Sequence, residues 1–531
     1  MTPQLDTLLA GYLDLRWHLN PVQATAAGRH EHDGTFARYD RTSVREHAAA
    51  LRSFTSALEE AEADTLDDEI DRTAALHFAR HDLLVLERER PFARNAAMHV
   101  GHALNGLWLL LARQGIPDEL RAAALLSRLR ALPAFLQAAA DALAEPSAVF
   151  LESASRVIPG GLALIRDGMD AADIDLSSLD ASELVGARAG AEAALLEFGD
   201  WLALAEERAD ASFAIGRELF DRKLHTGLMI RESADELFRY GERLVAETRV
   251  ELERAAEVLA PGMHWRELAE RLRADRPTRE SAVDEYAAAM RAAREFAVGR
   301  GLVDDPSAEL RVIPTPDFLR SLIPFAAYQG PGAFESDQTG IFFVTLGEPG
   351  EPWRLHCRAE LPSTALHEGV PGHHAQVVVA NRSPRHVRRV LTTPAAQEGW
   401  ALYCESLMAD AGFIASPEER FFQLHHLLWR ALRIVLDVAL HTRGMTVQAA
   451  AAVLEQELGM DAPTAMAEAR RYCAYPTYQL SYAVGRREIL ALRDDVRRAR
   501  GSAFSLPDFH RELLSYGALP TALARWGMGL A

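Results

Sequence analysis

His367-Glu368-Gly369-Val370-Pro371-Gly372-His373-His374 is the stretch that decides how the chain is read. It sets an ionisable Glu beside one His, with two more His close behind. Divalent metals are held by neutral imidazoles, and an adjacent carboxylate can take a proton from a metal-activated water. The common zinc-protease spacing is H-E-x-x-H, which puts two His on one helix face. Here the fifth position is Pro371, so that spacing is absent. In an undistorted helix His373 would lie about 9 Å along the axis and roughly 120° round from His367. His374 would share the face of His367 but lie about 10.5 Å away. A Pro inside a helix removes a hydrogen bond and kinks it, and extra residues can be absorbed as a wide turn. A bulge over Gly369–Gly372 would therefore bring His373 back toward His367. The bland alternative is a polar helix end with a Pro-Gly break.

A metal site of this kind needs a third protein ligand from another element. Downstream lies Gln397-Glu-Gly-Trp-Ala-Leu-Tyr-Cys-Glu405. Between His373 and Glu398 there is room for a loop and a returning helix, which can set that carboxylate against the first motif. Gly399, Trp400 and Leu402 give Glu398 a partly buried setting, and a buried carboxylate needs a partner. Glu405, two turns on, lies on nearly the same face and suits an outer partner to the ligands. Further on, Tyr475, Tyr478 and Tyr482 recur at helical spacing, and a phenol can donate to the oxyanion formed in amide hydrolysis. Aromatic stripes at this spacing also build ordinary cores. His425, His426 and His441 read as satisfied core or surface groups.

Segments 367–376 (HEGVPGHHAQ), 398–405 (EGWALYCE), 475–490 (YPTYQLSYAVGRREIL) and 504–520 (FSLPDFHRELLSYGALP) resemble the motif blocks of domain-of-unknown-function family 885. Pro21–Asp33 resembles that family's opening, so the likeness spans nearly the whole chain. The family in turn resembles the gluzincin metallopeptidases. The resemblance implies a mostly helical body with a metal at the bottom of a central cleft. It implies His367, one of His373 or His374, and Glu398 as ligands, with Glu368 as general base and acid. The Gly372-His373 pair, matching the Gly-His that often ends the shorter gluzincin motif, favours His373. The two extra residues in this motif bear directly on metal affinity, because ligand geometry controls it.

Around these motifs most of the sequence reads as helix, with apolar residues at three- and four-residue spacing over 2–19, 41–62, 69–90, 117–144, 183–207 and 232–259. Ser233 and Thr278 suggest helix starts, because acids follow each in the first turn. Pro-Gly pairs at 159–161 and 261–262 read as turns. The texture changes near 302–350, where Leu310–Pro314 and Ile341–Thr345 read as strands and Tyr328–Phe334 as an irregular loop. An exposed strand edge there could hold an extended peptide. Helices return after 360, the first capped by Ser363 or Thr364. The expected organisation is a helical region over 1–300 and a metal-binding region over 301–531, as one two-lobed body without a clean linker.

Composition sets outer bounds. With 57 basic and 76 acidic residues the formal charge is −19, which argues against nucleic acid and anionic membrane surfaces as partners. Cys357, Cys404 and Cys473 lie far apart, so neither a disulfide framework nor a Cys-based zinc site is expected. Met1–Asn20 lacks a signal-peptide pattern, and no uninterrupted apolar run approaches the roughly 20 residues of a membrane span. The expected compartment is cytoplasm. The expected fold is mostly α, a multi-helix gluzincin-like body with a small β-sheet before the metal-binding helix. The expected function is Zn2+-dependent hydrolysis of short peptides or related amides, with Glu368, Tyr482 and Tyr478 catalytic and His367, His373 and Glu398 on the metal. The competing reading is a non-catalytic peptide or small-molecule binder on the same scaffold.

Overall fold

Long windows rich in Ala, Leu, Glu and Arg carry little propensity penalty in a helix, and their apolar stripes need only a partner to pack against. The computed structural model, which describes residues 3–112, 116–172, 174–320, 323, 325–347 and 356–530, is accordingly mostly helical. The chain divides into two compact units. One comprises Met1–Phe213 with Pro316–Pro324 and Gly332–Asp337; the other comprises Ala214–Thr315, Phe325–Pro331 and Gln338–Ala531.

The first unit packs the helices Ala96–Ala112, Asp118–Ala142, Ala148–Ala171 and Ala181–Glu206 around buried Leu, Ile and Phe side chains. Pro159-Gly160-Gly161, expected as a turn, runs inside the helix Ala148–Ala171. Its buried neighbours Ile158, Leu164 and Ile165 supply the packing that outweighs the hydrogen bond lost at the proline. By length and composition this helix could also cross a bilayer, and 44% of its apolar window is buried inside the protein. Glu152 and Arg156 interrupt its apolar sequence, so it is not an uninterrupted apolar run.

In the second unit, Ala234–Leu259 packs against Pro417–Thr442, and each begins with a capping box, on Ser233 and on Ser416. The sheet has three strands, β1 (Leu310–Pro314), β2 (Ala326–Gln329) and β3 (Gly340–Val344), in the order β1-β3-β2. Strand β3 is parallel to β1, with Leu310 opposite Gly340, and antiparallel to β2, with Ala326 opposite Val344. Strand β2 was hidden in the sequence because it is four residues long, too short to show alternation, and runs into the Gly-Pro-Gly loop. Phe342 and Val344 of β3 join Tyr286, Met290, Leu361 and Ala365 in one buried cluster, which seats the helix Leu361–Glu368 on the sheet.

Two helix starts differ from expectation. Leu361–Glu368 begins at Glu360 with Pro362 in its first turn, so Ser363 lies inside it; Thr278 instead pairs with Ser281, where Ala282–Gly299 begins. The helices Pro394–Asp410 and Ser481–Arg500 cross at two glycines. A Cβ added to Gly399 would meet the Gly485 backbone at 2.5 Å, and one added to Gly485 would overlap the carbonyl oxygen of Ala395. Contact this close between rigid backbones cannot be relieved by a rotamer change. Gly485→Ala should therefore destabilise the protein by at least about 2 kcal/mol, read as a lower denaturation midpoint with unchanged slope.

Candidate metal centre

The helix that carries His367 ends at Glu368 because Gly369 leaves helical geometry (φ −93°, ψ −127°) and Pro371 offers no N–H. The Val370–Pro371 peptide is cis, and a second helix, His373–Asn381, starts two residues later. The expected bulge is therefore a complete break between two helices. It is held closed by the Gly372 N–H on Leu366 O at 3.0 Å and the His374 N–H on Gly369 O at 3.1 Å. Position 372 accepts only glycine, since an added Cβ would meet Leu366 O at 2.5 Å. The Glu398 helix clamps the same break: Trp400 Nε1 donates to Pro371 O at 2.9 Å, and Cys404 Sγ donates to the same oxygen at 3.7 Å. Folded this way, the rings of His367 and His373 stand edge to face with centroids 4.8 Å apart.

Glu398 completes the group. Its Oε2 lies 3.7 Å from His367 Nε2 and 3.4 Å from His373 Nε2. The ligating atoms of the three residues all lie within 4.8 Å of one another, and no other such His/Cys/Asp/Glu group occurs among the described residues. Two imidazole nitrogens and one carboxylate oxygen are a donor set that suits a divalent metal. Glu405 Oε1 accepts a hydrogen bond from His367 Nδ1 at 2.7 Å, which puts a proton on Nδ1, so that loss of the Nε2 proton frees a lone pair facing the space shared with Glu398. Burial disfavours a charged His367, but hydrogen bonding to Glu398 and Glu405 wins and raises it to about 10. Burial likewise opposes the Glu398 charge, yet the two imidazoles hold that carboxyl well below its usual range. A site that draws a proton this strongly is electrostatically prepared for a cation.

The remaining predicted residues separate clearly. His374 points elsewhere: its Nδ1 accepts from the Tyr328 hydroxyl at 3.0 Å, and its Nε2 reaches Ala308 O at 3.4 Å. Burial lowers it to about 4, and it ties the helix His373–Asn381 to the sheet. Tyr478 donates its hydroxyl to Glu398 Oε1 at 2.7 Å, fixing the carboxylate from the other side. Tyr482 packs edge-on against Tyr478 with centroids 6.1 Å apart, and the Arg433 guanidinium lies 4.7 Å from its ring centre. Burial pushes the Tyr482 phenol up to about 12, so it is protonated at neutral pH. The expected single Tyr stripe is not formed, because residues 475–480 are a turn and Tyr475 is 58% exposed. Glu368 is partly exposed and follows His367 directly, close enough for its charge to act on that imidazole and on Tyr328. His425 and His441 are buried and meet the carbonyls of Leu458 and Tyr472 through Nε2, while His425 Nδ1 is buried without a hydrogen-bond partner.

One residue escaped the sequence reading. Asp437 is wholly buried, and its two oxygens accept the N–H groups of Thr477 and Leu480, both at 3.2 Å. This carboxylate braces the turn, with Thr477 in left-handed geometry (φ 72°), that aims Tyr478 at Glu398. Burial pushes Asp437 up to about 7 against those backbone donors. Its signal was there: a lone acid within Ile434-Val-Leu-Asp437-Val-Ala-Leu440 has to be matched by donors from elsewhere.

The family described as "Bacterial protein of unknown function (DUF885)" matches residues 21–528. Two solved structures share the fold. A candidate lipoprotein of unknown function from Shewanella oneidensis is 22% identical, with a TM-score of 0.80 over 99% of each chain. A candidate lipoprotein from Colwellia psychrerythraea is 18% identical, with a TM-score of 0.84 over 100% of this chain and 99% of that one. No curated protein matches the chain. Both neighbours are described as candidate lipoproteins, and that finding stands against the cytoplasmic expectation, which is withdrawn. An acidic, cysteine-poor composition fits a reducing compartment without requiring one, which is why it misled.

Proposed function

We propose a zinc-dependent hydrolase of peptide or related amide bonds, with kinship as the premise: the chain belongs to the bacterial DUF885 family. The proposal extends to a gluzincin-like body whose enclosed site admits short peptides. One observation carries it, the meeting of His367 Nε2, His373 Nε2 and the Glu398 carboxylate within 4.8 Å. Zinc held there would acidify a water toward pH 7 and polarise the scissile carbonyl.

The chain's own groups divide the remaining work. Glu368 accepts the proton of the attacking water and passes it to the leaving nitrogen. Glu405 keeps His367 in the tautomer that presents Nε2. Tyr478 orients Glu398, and Tyr482, protonated at neutral pH, is the proposed donor to the oxyanion. Strand β2 is an edge strand among the described residues, and its outer main-chain groups would be the ones to meet an extended substrate.

Metal analysis and a pooled short-peptide library, run with and without chelator, test the reading. The expected result is near-stoichiometric zinc with cleavage that chelator abolishes and added zinc restores. No zinc after reconstitution, or cleavage indifferent to chelator, would overturn it.

A further inference from the structure

Of the chain's 57 basic residues, Lys223 is the one lysine. It ends the helix Arg217–Lys223 and is 7% exposed. A lysine ammonium is strongly hydrated and is seldom buried without a counter-charge. Its charge acts on Asp437, wholly buried on the helix Pro417–Thr442, and favours the ionised carboxylate there. The other titratable neighbours of Asp437 do not take that part. His441 Nε2 stands 4.0 Å from Oδ1 but meets Tyr472 O at 3.1 Å, and burial keeps the Cys473 thiol neutral.

The ionised form matters because both oxygens are in use: Oδ1 accepts the Thr477 N–H and Oδ2 the Leu480 N–H. An ionised carboxylate accepts at both oxygens, whereas protonation turns one of them into a donor facing an N–H. Between the two anchored positions, Thr477 holds a left-handed backbone (φ 72°) that a β-branched residue avoids unless its surroundings impose it. Packing fixes the other side of the turn, since Leu480 is buried with Phe220 and Leu224, and Tyr478 lies against that cluster. Tyr478, bracketed by the anchors, donates to Glu398 Oε1, while Oε2 of the same carboxylate faces the imidazoles of His367 and His373. A shift of the turn therefore rotates the carboxylate against the two nitrogens.

On the reading that His367, His373 and Glu398 hold the ion, we infer that Asp437 and Lys223 are positioning residues of the metal centre, setting its affinity from a distance through Tyr478. Cobalt(II) added to the full chain, in competition with a chelator, tests this without turnover. Asp437→Asn keeps the volume but turns an NH2 toward one of the two N–H groups; it should bind cobalt about tenfold more weakly and change the ion's visible d–d absorption. Tyr478→Phe should lose about 10- to 100-fold. Added to Tyr478→Phe, Asp437→Asn should cost less than about twofold more, because the hydroxyl through which it acts is gone. Lys223→Met, of similar length without the charge, should weaken cobalt about threefold, again only while Tyr478 is present. Its cycle decides the matter if Asp437→Asn does not fold. Wild-type affinity in both single variants, or an equal loss with and without the Tyr478 hydroxyl, would overturn the positioning role and leave the metal centre standing. Wild-type protein that takes up no cobalt would remove the centre and this role together.

Discussion

Glu398→Ala should be purified essentially free of zinc, while wild-type protein should carry close to one equivalent. Glu398 is the carboxylate of the candidate donor set, carried on a third helix, Pro394–Asp410, beyond the two that bear His367 and His373. Its removal leaves two imidazoles and deletes the negative charge that offsets a dication at a 12% exposed position. The loss of affinity should exceed the 10- to 100-fold typical of an outer-shell change. Glu405→Gln is the internal standard for that range, since Glu405 meets the donor set only through the far nitrogen of His367. Competition against a chelator of known affinity measures both variants on one scale. Stoichiometric zinc in Glu398→Ala, bound as tightly as in wild type, would show that the ion sits elsewhere.

Sequence patterns reached different depths for different parts of this molecule. Long amphipathic helices such as Arg41–Glu60 and Ala234–Leu259 were legible because their burial repeats with the helical period and polar caps mark their ends. Strand β2 was not legible, since its place is set by pairing with β3 rather than by its own four residues. The same distinction runs through the site. His367, Glu368 and Glu398 announce themselves as ionisable groups within apolar surroundings. The choice between His373 and His374 turns on the path of the chain between Gly369 and Gly372. That path depends on the Leu366, Trp400 and Cys404 contacts, which lie outside the motif or far along the chain. Tyr478 and Tyr482 look equivalent in sequence, yet one lies on a turn braced by Asp437 and the other on a helix beneath Arg433. Compartment was the least legible property, because it leaves little trace in the composition of a folded body.

Glu368→Gln should keep zinc at the wild-type level and lose about 10²- to 10⁴-fold in turnover, the usual range for a general acid–base group. That range corresponds to about 3 to 5.5 kcal/mol of transition-state stabilisation. Metal content should hold because Glu368 is not among the converging donors, and because Gln preserves its volume at the end of the helix Leu361–Glu368. Turnover should fall because an amide cannot take a proton from water or return it to the leaving nitrogen. KM should change little, since the substrate's binding contacts do not depend on that proton. The pairing of the two variants is what discriminates: Glu398→Ala loses metal and activity together, whereas Glu368→Gln separates them. Steady-state rates on whichever short peptide the library identifies, with zinc measured on the same samples, decide the matter. Full activity in Glu368→Gln would remove Glu368 from the chemistry and require another base within reach of the same ion.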